Sequence, residues 1–384
     1  MKVLMLAHES SLNGASKSLL NLIDTLSDVN EYYVAIPFLE GPMVEELKKR
    51  DVTIIHYSPV WWFNAKPKNF YYRIKNWLKW ILQLNPCNKK VALDLKKEVE
   101  KYGIEIIHSN VSIINIGGLL KELTGIPLVW HIREFGQEDF SIYTLPTVRG
   151  FFKMIDKNAD AVVTVSNALR DKYAKRLKKN TPITIYNGID KENLNFEKQY
   201  KNNDVCNFLI AGAIQEPKGQ HIAIGAVNKL LDRGYTNFKL YIAGAGDMDW
   251  LNKSSVINEE HIEVLGRVED MFSLRKRINV ELVCSKSEAF GRVTAEAMMG
   301  GIPVIGSNSG GTPELVEDGK SGFLFPVGDI SALADKMEVF LNNPDKIETM
   351  GRYAQKVAEN RFSIERCARE VQDVYNSVRL NKNT

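Results

Sequence analysis

Glu288 and Glu296, with seven residues between them, flank Gly291 in the stretch S-K-S-E-A-F-G-R-V-T-A-E-A-M-M-G-G-I-P-V-I-G-S-N-S-G-G-T-P-E-L-V-E-D-G, from Ser285 to Gly319. A carboxylate accepts two hydroxyls, one way in which proteins hold sugars, and each charge-assisted hydrogen bond contributes roughly 1.5–3 kcal/mol. Gly291 lets backbone approach a ligand closely, and the free amides of a helix starting beside it suit a phosphate. The pattern fits a ligand that is both anionic and rich in hydroxyls. It also fits a strand-loop-helix packing motif with two solvated glutamates.

Three other positions invite a chemical reading. Lys218-Gly219 follows the apolar run Phe208–Ala211 and opens a helix, so its ammonium is placed as a point charge for an anion, or as a solvated loop lysine. Gly14, in H-E-S-S-L-N-G-A-S-K, enters an amphipathic helix after the first strand, a phosphate-approach geometry or a tight turn. His131 ends a strand in V-W-H-I-R-E-F, where an imidazole serves as a structural hydrogen-bonder or a catalytic group. Ser166 and Asn187-Gly188 read as capping and turning residues.

The elements that must position these residues alternate along the chain. An apolar run, Val280–Cys284, predicts a strand before Glu288; a helix is expected over Arg292–Met299, stopped by Gly300-Gly301. Gly310-Gly311-Thr312-Pro313-Glu314 reads as a helix start, with a cap residue ahead of the proline. Strands are expected at Lys2–Leu6, Tyr33–Pro37, Thr53–Tyr57, Ile104–His108, Leu128–His131, Ala161–Val165 and Ile183–Tyr186. A second series runs Phe208–Ala211, Lys239–Ala243, Ile262–Leu265, Val280–Val283, Val304–Gly306 and Gly322–Phe325. Strands alternating with helices predict an α/β protein with two doubly wound, Rossmann-like domains facing a central cleft. The series divide near 187–207, where Lys191, Asn193, Gln199 and Asn203 dominate. The domains expected are 1–190, 191–362 and a last helix, 363–384, with Ile364, Cys367, Ala368, Val371, Tyr375 and Val378 at helical spacing.

Composition narrows the class. A chain of 384 residues with 44% hydrophobic and 25% charged residues is expected to be a soluble, two-domain protein. Cys87, Cys206, Cys284 and Cys367 are dispersed, which predicts neither a disulfide framework nor a zinc site and favours a reducing, cytoplasmic setting. No apolar run approaches the roughly 20 residues of a membrane span. Net charge is +3, yet 52–93 holds seven Lys/Arg and no Asp or Glu, against 43 basic and 47 acidic residues elsewhere.

E-A-F-G-R-V-T-A-E, followed by A-M-M-G-G-I-P-V-I and G-G-T-P-E, resembles the E-x7-E signature of the retaining glycosyltransferases of family 4. The resemblance is dense over 208–362 and looser over 2–190. It implies the GT-B fold and a UDP- or GDP-linked nucleotide-sugar donor. It also implies a metal-independent hexosyl transfer without a cofactor. Glu288 is implied to hold hydroxyls of the donor sugar, Glu296 the ribose, Lys218 the diphosphate, and His131 the transferred sugar; Gly14, Phe290, Gly291, Arg292 and Val293 complete the implied donor site. Two departures stand out. Ala213 occupies the position of the family's second phosphate-binding cation, for which Arg292 is the nearest replacement, and one glycine stands near Gly14 where two are common. Asp247-Met248-Asp249 spells D-x-D, the manganese motif of another glycosyltransferase class, but it follows a glycine-rich strand end that family 4 keeps near the nucleotide base, and no metal site is expected. The resemblance further implies that the last helix crosses back onto the first domain.

The competing functions are a non-catalytic partner subunit, favoured by Ala213, and a GT-B epimerase or phosphorylase. Acceptors in the family are often lipid-linked, or else polysaccharide, and segment 59–90 bears on this. Trp61, Trp62, Phe63, Phe70, Tyr71, Tyr72, Trp77 and Trp80 are interleaved there with the basic residues, and Phe70, Ile74, Trp77, Ile81 and Leu84 follow helical spacing. Such a stripe suits an anionic membrane at the inner face, or it packs on the first domain and leaves the lysines solvated. Nothing in the chain resembles a nucleic-acid module.

Overall fold

The computed structural model describes residues 1–65, 69–136, 138, 142–145, 147–190, 198–200 and 205–380. Lys66 and Lys68 of the basic segment, and Lys191, Asn193 and Asn203 of the stretch between the two series, lie outside these residues. The chain forms two compact units: Met1–Gly188 together with the chain from Ile364, and Ile189–Ser363. Each of the strands expected from the sequence is present, with ends shifted by no more than two residues.

The strands of the first unit are β1 (Lys2–Leu6), β2 (Glu31–Ile36), β3 (Thr53–His56), β4 (Phe63–Ala65), β5 (Ile106–Ser109), β6 (Leu128–Ile132), β7 (Ile142–Thr144), β8 (Ala161–Thr164) and β9 (Ile183–Thr184). All but β4 and β7 form one parallel sheet, ordered β3-β2-β1-β5-β6-β8-β9. Its strands are near-continuous apolar runs because helices cover both faces. The chain reverses its direction of travel between β1 and β5, and open α/β sheets bind ligands at the carboxyl ends of strands at such a reversal. The helix Ile364–Leu380 lies in this unit and buries Ile364, Cys367, Ala368, Val371, Val374, Tyr375 and Val378 in the core around Val3, Met5, Leu19 and Ile23. Each buried Ile or Val among them contributes on the order of 1.5–3 kcal/mol, which fixes the helix to this unit.

Segment 59–90 departs from the periodic reading. β4 pairs antiparallel with β7, a small sheet that the alternation of strands and helices did not signal. A helix runs Phe70–Lys79, widens into one π turn at Trp80–Leu84, and continues as a helix over Asn85–Tyr102. Pro86 has no amide to continue the i→i−4 ladder, which accounts for the widening. The stripe does not pack on the first unit: the helix Phe70–Lys79 buries no side chain, and Phe70 is 74% exposed. Trp62, Trp80 and Asn88 are the buried anchors instead.

The second unit contains β10 (Cys206–Ala211), β11 (Phe238–Ala243), β12 (Ile262–Gly266), β13 (Val280–Val283), β14 (Val304–Ser307) and β15 (Gly322–Phe325), all parallel, in the order β12-β11-β10-β13-β14-β15. Its reversal lies between β10 and β13, the strands that precede Lys218 and Glu288.

Candidate active site

β10 ends at Ala211, and the chain reaches a short 3-10 turn, Glu216–Lys218, before the helix Gln220–Asp232. Lys218 therefore precedes the helix rather than opening it, and Gly219 makes the joint. With φ +74°, Gly219 sits where a Cβ would lie 2.3 Å from the Cys284 carbonyl oxygen, so only glycine lets the two loops meet. The Lys286 amide donates to the Pro217 carbonyl at 2.8 Å across the same junction. The contact brings Lys218 Nζ to 2.6 Å from Oε1 of Glu288, and the Ser285 hydroxyl donates to that oxygen, also at 2.6 Å. Among the described residues Oε2 of Glu288 takes no hydrogen bond.

A third loop fixes the Glu288 backbone. The Gly311 amide donates to the Glu288 carbonyl at 2.7 Å, and a Cβ on Gly310 (φ +60°) would lie 2.4 Å from that carbonyl oxygen. The helix that follows is Thr312–Leu315, with Gly311 at the cap position, so Thr312 does not act as the cap residue. Its hydroxyl is buried without a partner among the described residues.

Glu296 stands in the helix Arg292–Met299, which begins at Gly291 with φ +93° and spans the residues expected. Its carboxylate is held from two sides: Arg275 Nη1 donates to Oε2 at 2.9 Å, and Arg292 Nη2 to Oε1 at 3.2 Å. The guanidinium of Arg275 is itself gripped by Glu281, Nε to Oε2 and Nη2 to Oε1, both at 3.0 Å. Glu281 lies in the middle of β13 and is fully buried, so the run read as apolar carries a charge at its centre. Burial pushes the Glu281 carboxyl up, and the Arg275 charge opposes that shift. Beneath them, the buried Lys198 ammonium donates to the carbonyls of Arg275, Lys276 and Ile278, and burial lowers its pKa to about 8. Sequence reasoning missed this network. Its signal was Glu281 inside an apolar run, six residues after an arginine.

Phe290 is buried and meets Phe362 edge-on at 5.7 Å, so the ring is a packing group. Val293 is half-buried in the first helical turn. Asp247 accepts from the Trp250 amide at 2.8 Å and caps the helix Met248–Ser254, which accounts for half of the D-x-D. Among the described residues, no group of three or more His, Cys, Asp or Glu side chains is arranged to hold a metal ion.

Gly14 and His131 belong to the first unit. Gly14 is the exposed first residue of the helix Gly14–Leu26, whose cap, Asn13, accepts from the Ser16 amide. His131 is buried at the end of β6, and Arg133 Nη2 lies 3.3 Å from its Nδ1. Arginine only donates, so Nδ1 is the acceptor and the ring proton is on Nε2, a buried atom with no partner among the described residues. Burial, with Arg133 and His108 nearby, holds the His131 pKa well below its ordinary value, and the ring is neutral. Arg133 is braced by Asn110, at 3.0 Å from Nε, and by Asn187. Beside it, Glu134 accepts from the Ser112 hydroxyl at 2.6 Å. His108, with its ring 5.4 Å from that of His131, has Nδ1 2.7 Å from the Tyr375 hydroxyl. Ser166 caps its helix through the Leu169 amide, as read from the sequence.

The chain matches the family model described as Glycosyltransferase Family 4 over residues 12–193 and the one described as Glycosyl transferases group 1 over residues 191–357. It is 31% identical over 287 residues to an uncharacterized glycosyltransferase of Methanocaldococcus jannaschii, covering 73% of this chain and 77% of that protein. To a capsular polysaccharide biosynthesis glycosyltransferase of Staphylococcus aureus it is 29% identical over 376 residues, covering 89% of this chain and 94% of the other. The structure of Anabaena HepE in complex with UDP and glucose superposes with a TM-score of 0.77 at 20% identity, covering 98% of this chain and 100% of HepE.

Proposed function

This chain belongs to glycosyltransferase family 4 and has the GT-B fold, and from that premise we propose that it moves a sugar, with retention of configuration, from a UDP- or GDP-linked donor to an acceptor hydroxyl in cell-surface polysaccharide or glycolipid synthesis. The observation that carries this reading is the Lys218-Ser285-Glu288 cluster at the strand reversal of the second unit. One N–H of the ammonium is engaged by Glu288, leaving others for phosphate oxygens. The amides from Gly291 to Thr294 add partial positive charge to the same end. Oε2 of Glu288 accepts hydroxyls of the donor sugar, and Glu296, oriented by Arg275, accepts those of the ribose. UDP in HepE favours the uridine donor.

In the reaction the C1–O bond to the diphosphate breaks and its electron pair leaves with phosphate. The acceptor oxygen attacks C1 from the same face, and its proton passes to the departing phosphate oxygen. Positive charge on the ring and negative charge on the leaving group develop together, so fixed cations stabilise the transition state more than the ground state. Assaying transfer and donor hydrolysis over a panel of nucleotide sugars tests the proposal. Turnover with a UDP- or GDP-sugar, unaffected by EDTA, is expected; no turnover and no nucleotide binding would establish the partner-subunit reading that Ala213 favours.

The acceptor reading extends to a membrane. The helix Phe70–Lys79 and the following π turn leave Phe70, Tyr71 and Leu82 at least two-thirds exposed beside Arg73, Lys75 and Lys79. Among the described residues, no helix is long and apolar enough to cross a membrane. An exposed aromatic face with lysines fits the headgroup layer of an anionic bilayer, each basic residue adding about 1 kcal/mol. Co-sedimentation with anionic vesicles at low salt, lost with neutral vesicles, is the expected result. Absence from both pellets overturns the membrane reading.

A further inference from the structure

Trp61 is held like a tool in a vice. On one side, the Asn88 side chain accepts from the Val60 amide at 2.7 Å and donates to the Val60 carbonyl at 2.8 Å. On the other, Trp62 is buried, its indole N–H donates to the Ser112 carbonyl at 2.6 Å, and its ring stacks on Trp130 at 6.0 Å. Between these anchors Trp61 remains 47% exposed. A large aromatic whose main chain is anchored on both sides and whose ring stays open is a ready binding surface, because little backbone entropy remains to be lost on contact.

Its neighbours supply the polar half of such a surface. The His8 ring lies 5.9 Å from the Trp61 ring, and His8 Nε2 lies 2.9 Å from Oε1 of Glu9. The Ser11 hydroxyl donates to Oε2 of Glu9 at 2.7 Å. Burial opposes ionisation of Glu9, but the bonds from His8 and Ser11 outweigh it and hold the carboxyl below its ordinary value. The loop is rigid as well. The Met43 amide donates to the Ser10 carbonyl at 3.0 Å, the Tyr57 hydroxyl donates to the Ala7 carbonyl, and a Cβ on Gly41 would lie 2.8 Å from the Ser10 hydroxyl. This loop leaves β1, at the reversal of the first sheet, where open α/β folds place ligands.

We propose that Trp61, His8 and Glu9 form an acceptor platform for an uncharged pyranose, and hence that the acceptor ends in a sugar. The apolar face of the ring lies on the indole, and the Glu9 carboxylate accepts its hydroxyls. The negative charge of Glu9 disfavours a phosphate or carboxylate ligand, which separates this platform from a lipid headgroup site. The proposal rests on the transfer reading and names its acceptor class.

The test uses the full chain and needs no knowledge of donor or acceptor. Methyl α- and β-glycosides of glucose, galactose and N-acetylglucosamine are titrated with saturation-transfer NMR and indole fluorescence as readouts, and UDP binding is measured in parallel. At least one glycoside is expected to bind, Trp61→Ala to weaken it at least tenfold, about 1.4 kcal/mol, and Trp61→Phe to retain part of the affinity. Glu9→Gln should weaken it several-fold, and UDP affinity should be unchanged in all three variants. Binding undiminished in Trp61→Ala, or no glycoside bound by the wild type, overturns the platform. Failure of the wild type to bind both UDP and GDP, measured in the same way, overturns the transfer reading instead.

Discussion

Replacing Glu281 by alanine leaves the Arg275 guanidinium buried with one carboxylate in place of two. The two side chains are 0% and 2% exposed, and they share two hydrogen bonds of 3.0 Å. Removing one member of such a pair costs about 3–5 kcal/mol, because the surviving charge stays desolvated. Glu296 still meets Arg275 at 2.9 Å, so the lower end applies, roughly 3 kcal/mol. For a unit of this size that is a fall of about 6–12 °C in the thermal midpoint. Urea unfolding, with the midpoint and slope followed separately, measures it. A double variant, Arg275→Met with Glu281→Leu, removes both charges at similar volume and should return to within about 1 kcal/mol of wild type. Its UDP affinity should not return, because Glu296 has lost one of the groups that orient it. A single variant within about 1 kcal/mol of wild type, or a double variant as unstable as the single, refutes the reasoning.

Gly219→Ala should destabilise the second unit by about 1–3 kcal/mol and lower UDP affinity, since φ +74° and the Cys284 carbonyl at 2.3 Å leave no room for a methyl group; an unchanged melt and unchanged affinity would contradict the account of that junction. Glu288→Gln should cut turnover at least tenfold with the fold intact by circular dichroism, and wild-type activity would remove Glu288 from the site. Arg292→Ala should weaken UDP binding several-fold, by freeing Glu296 on one side and removing a cation near the helix start; equal affinity would eliminate it as the substitute for the cation missing at Ala213. His108 is buried with its pKa lowered to about 3, so its contribution to stability is complete above about pH 6.5 and is lost as pH falls toward 3, at about 1.4 kcal/mol per pH unit. Urea unfolding at pH 7, 6 and 5 should therefore show a shallower decline in His108→Gln than in wild type, and parallel declines would exclude His108 as the cause.

Much of this fold could be read from periodicity, and the reasons are local. β1, β13 and β15 are bounded runs whose ends are set by turn residues, and the helix Arg292–Met299 is bracketed by Gly291 and Gly300. The pairing of Glu288 with Lys218 was not legible, although both residues were singled out, because it depends on two loops brought together over a glycine. Glu281 was hidden for a different reason. One charge inside an apolar strand does not break its pattern, and only the fold supplies Arg275 as its partner. The small β4–β7 sheet escaped because three-residue strands carry too little alternation to register. The stripe in segment 59–90 was read with the right period but without its anchors: Trp80, off the stripe, turns inward, and the stripe itself stays open.

The return of the helix Ile364–Leu380 to the first unit fixes an order of events during synthesis. The second unit is continuous in sequence, Ile189–Ser363, and all its strands exist once Phe325 has been made. The first unit, although its sheet is translated earlier, still lacks one wall of its core and the Tyr375 hydroxyl beside His108. Until Ile364–Leu380 leaves the ribosome, the apolar surface around Val3, Met5, Leu19 and Ile23 stands uncovered. Domains that fold as they emerge usually do so from the amino terminus. Here the unit begun first is the unit finished last, and a chain cut short before this helix leaves the apolar surface of the first unit open to water.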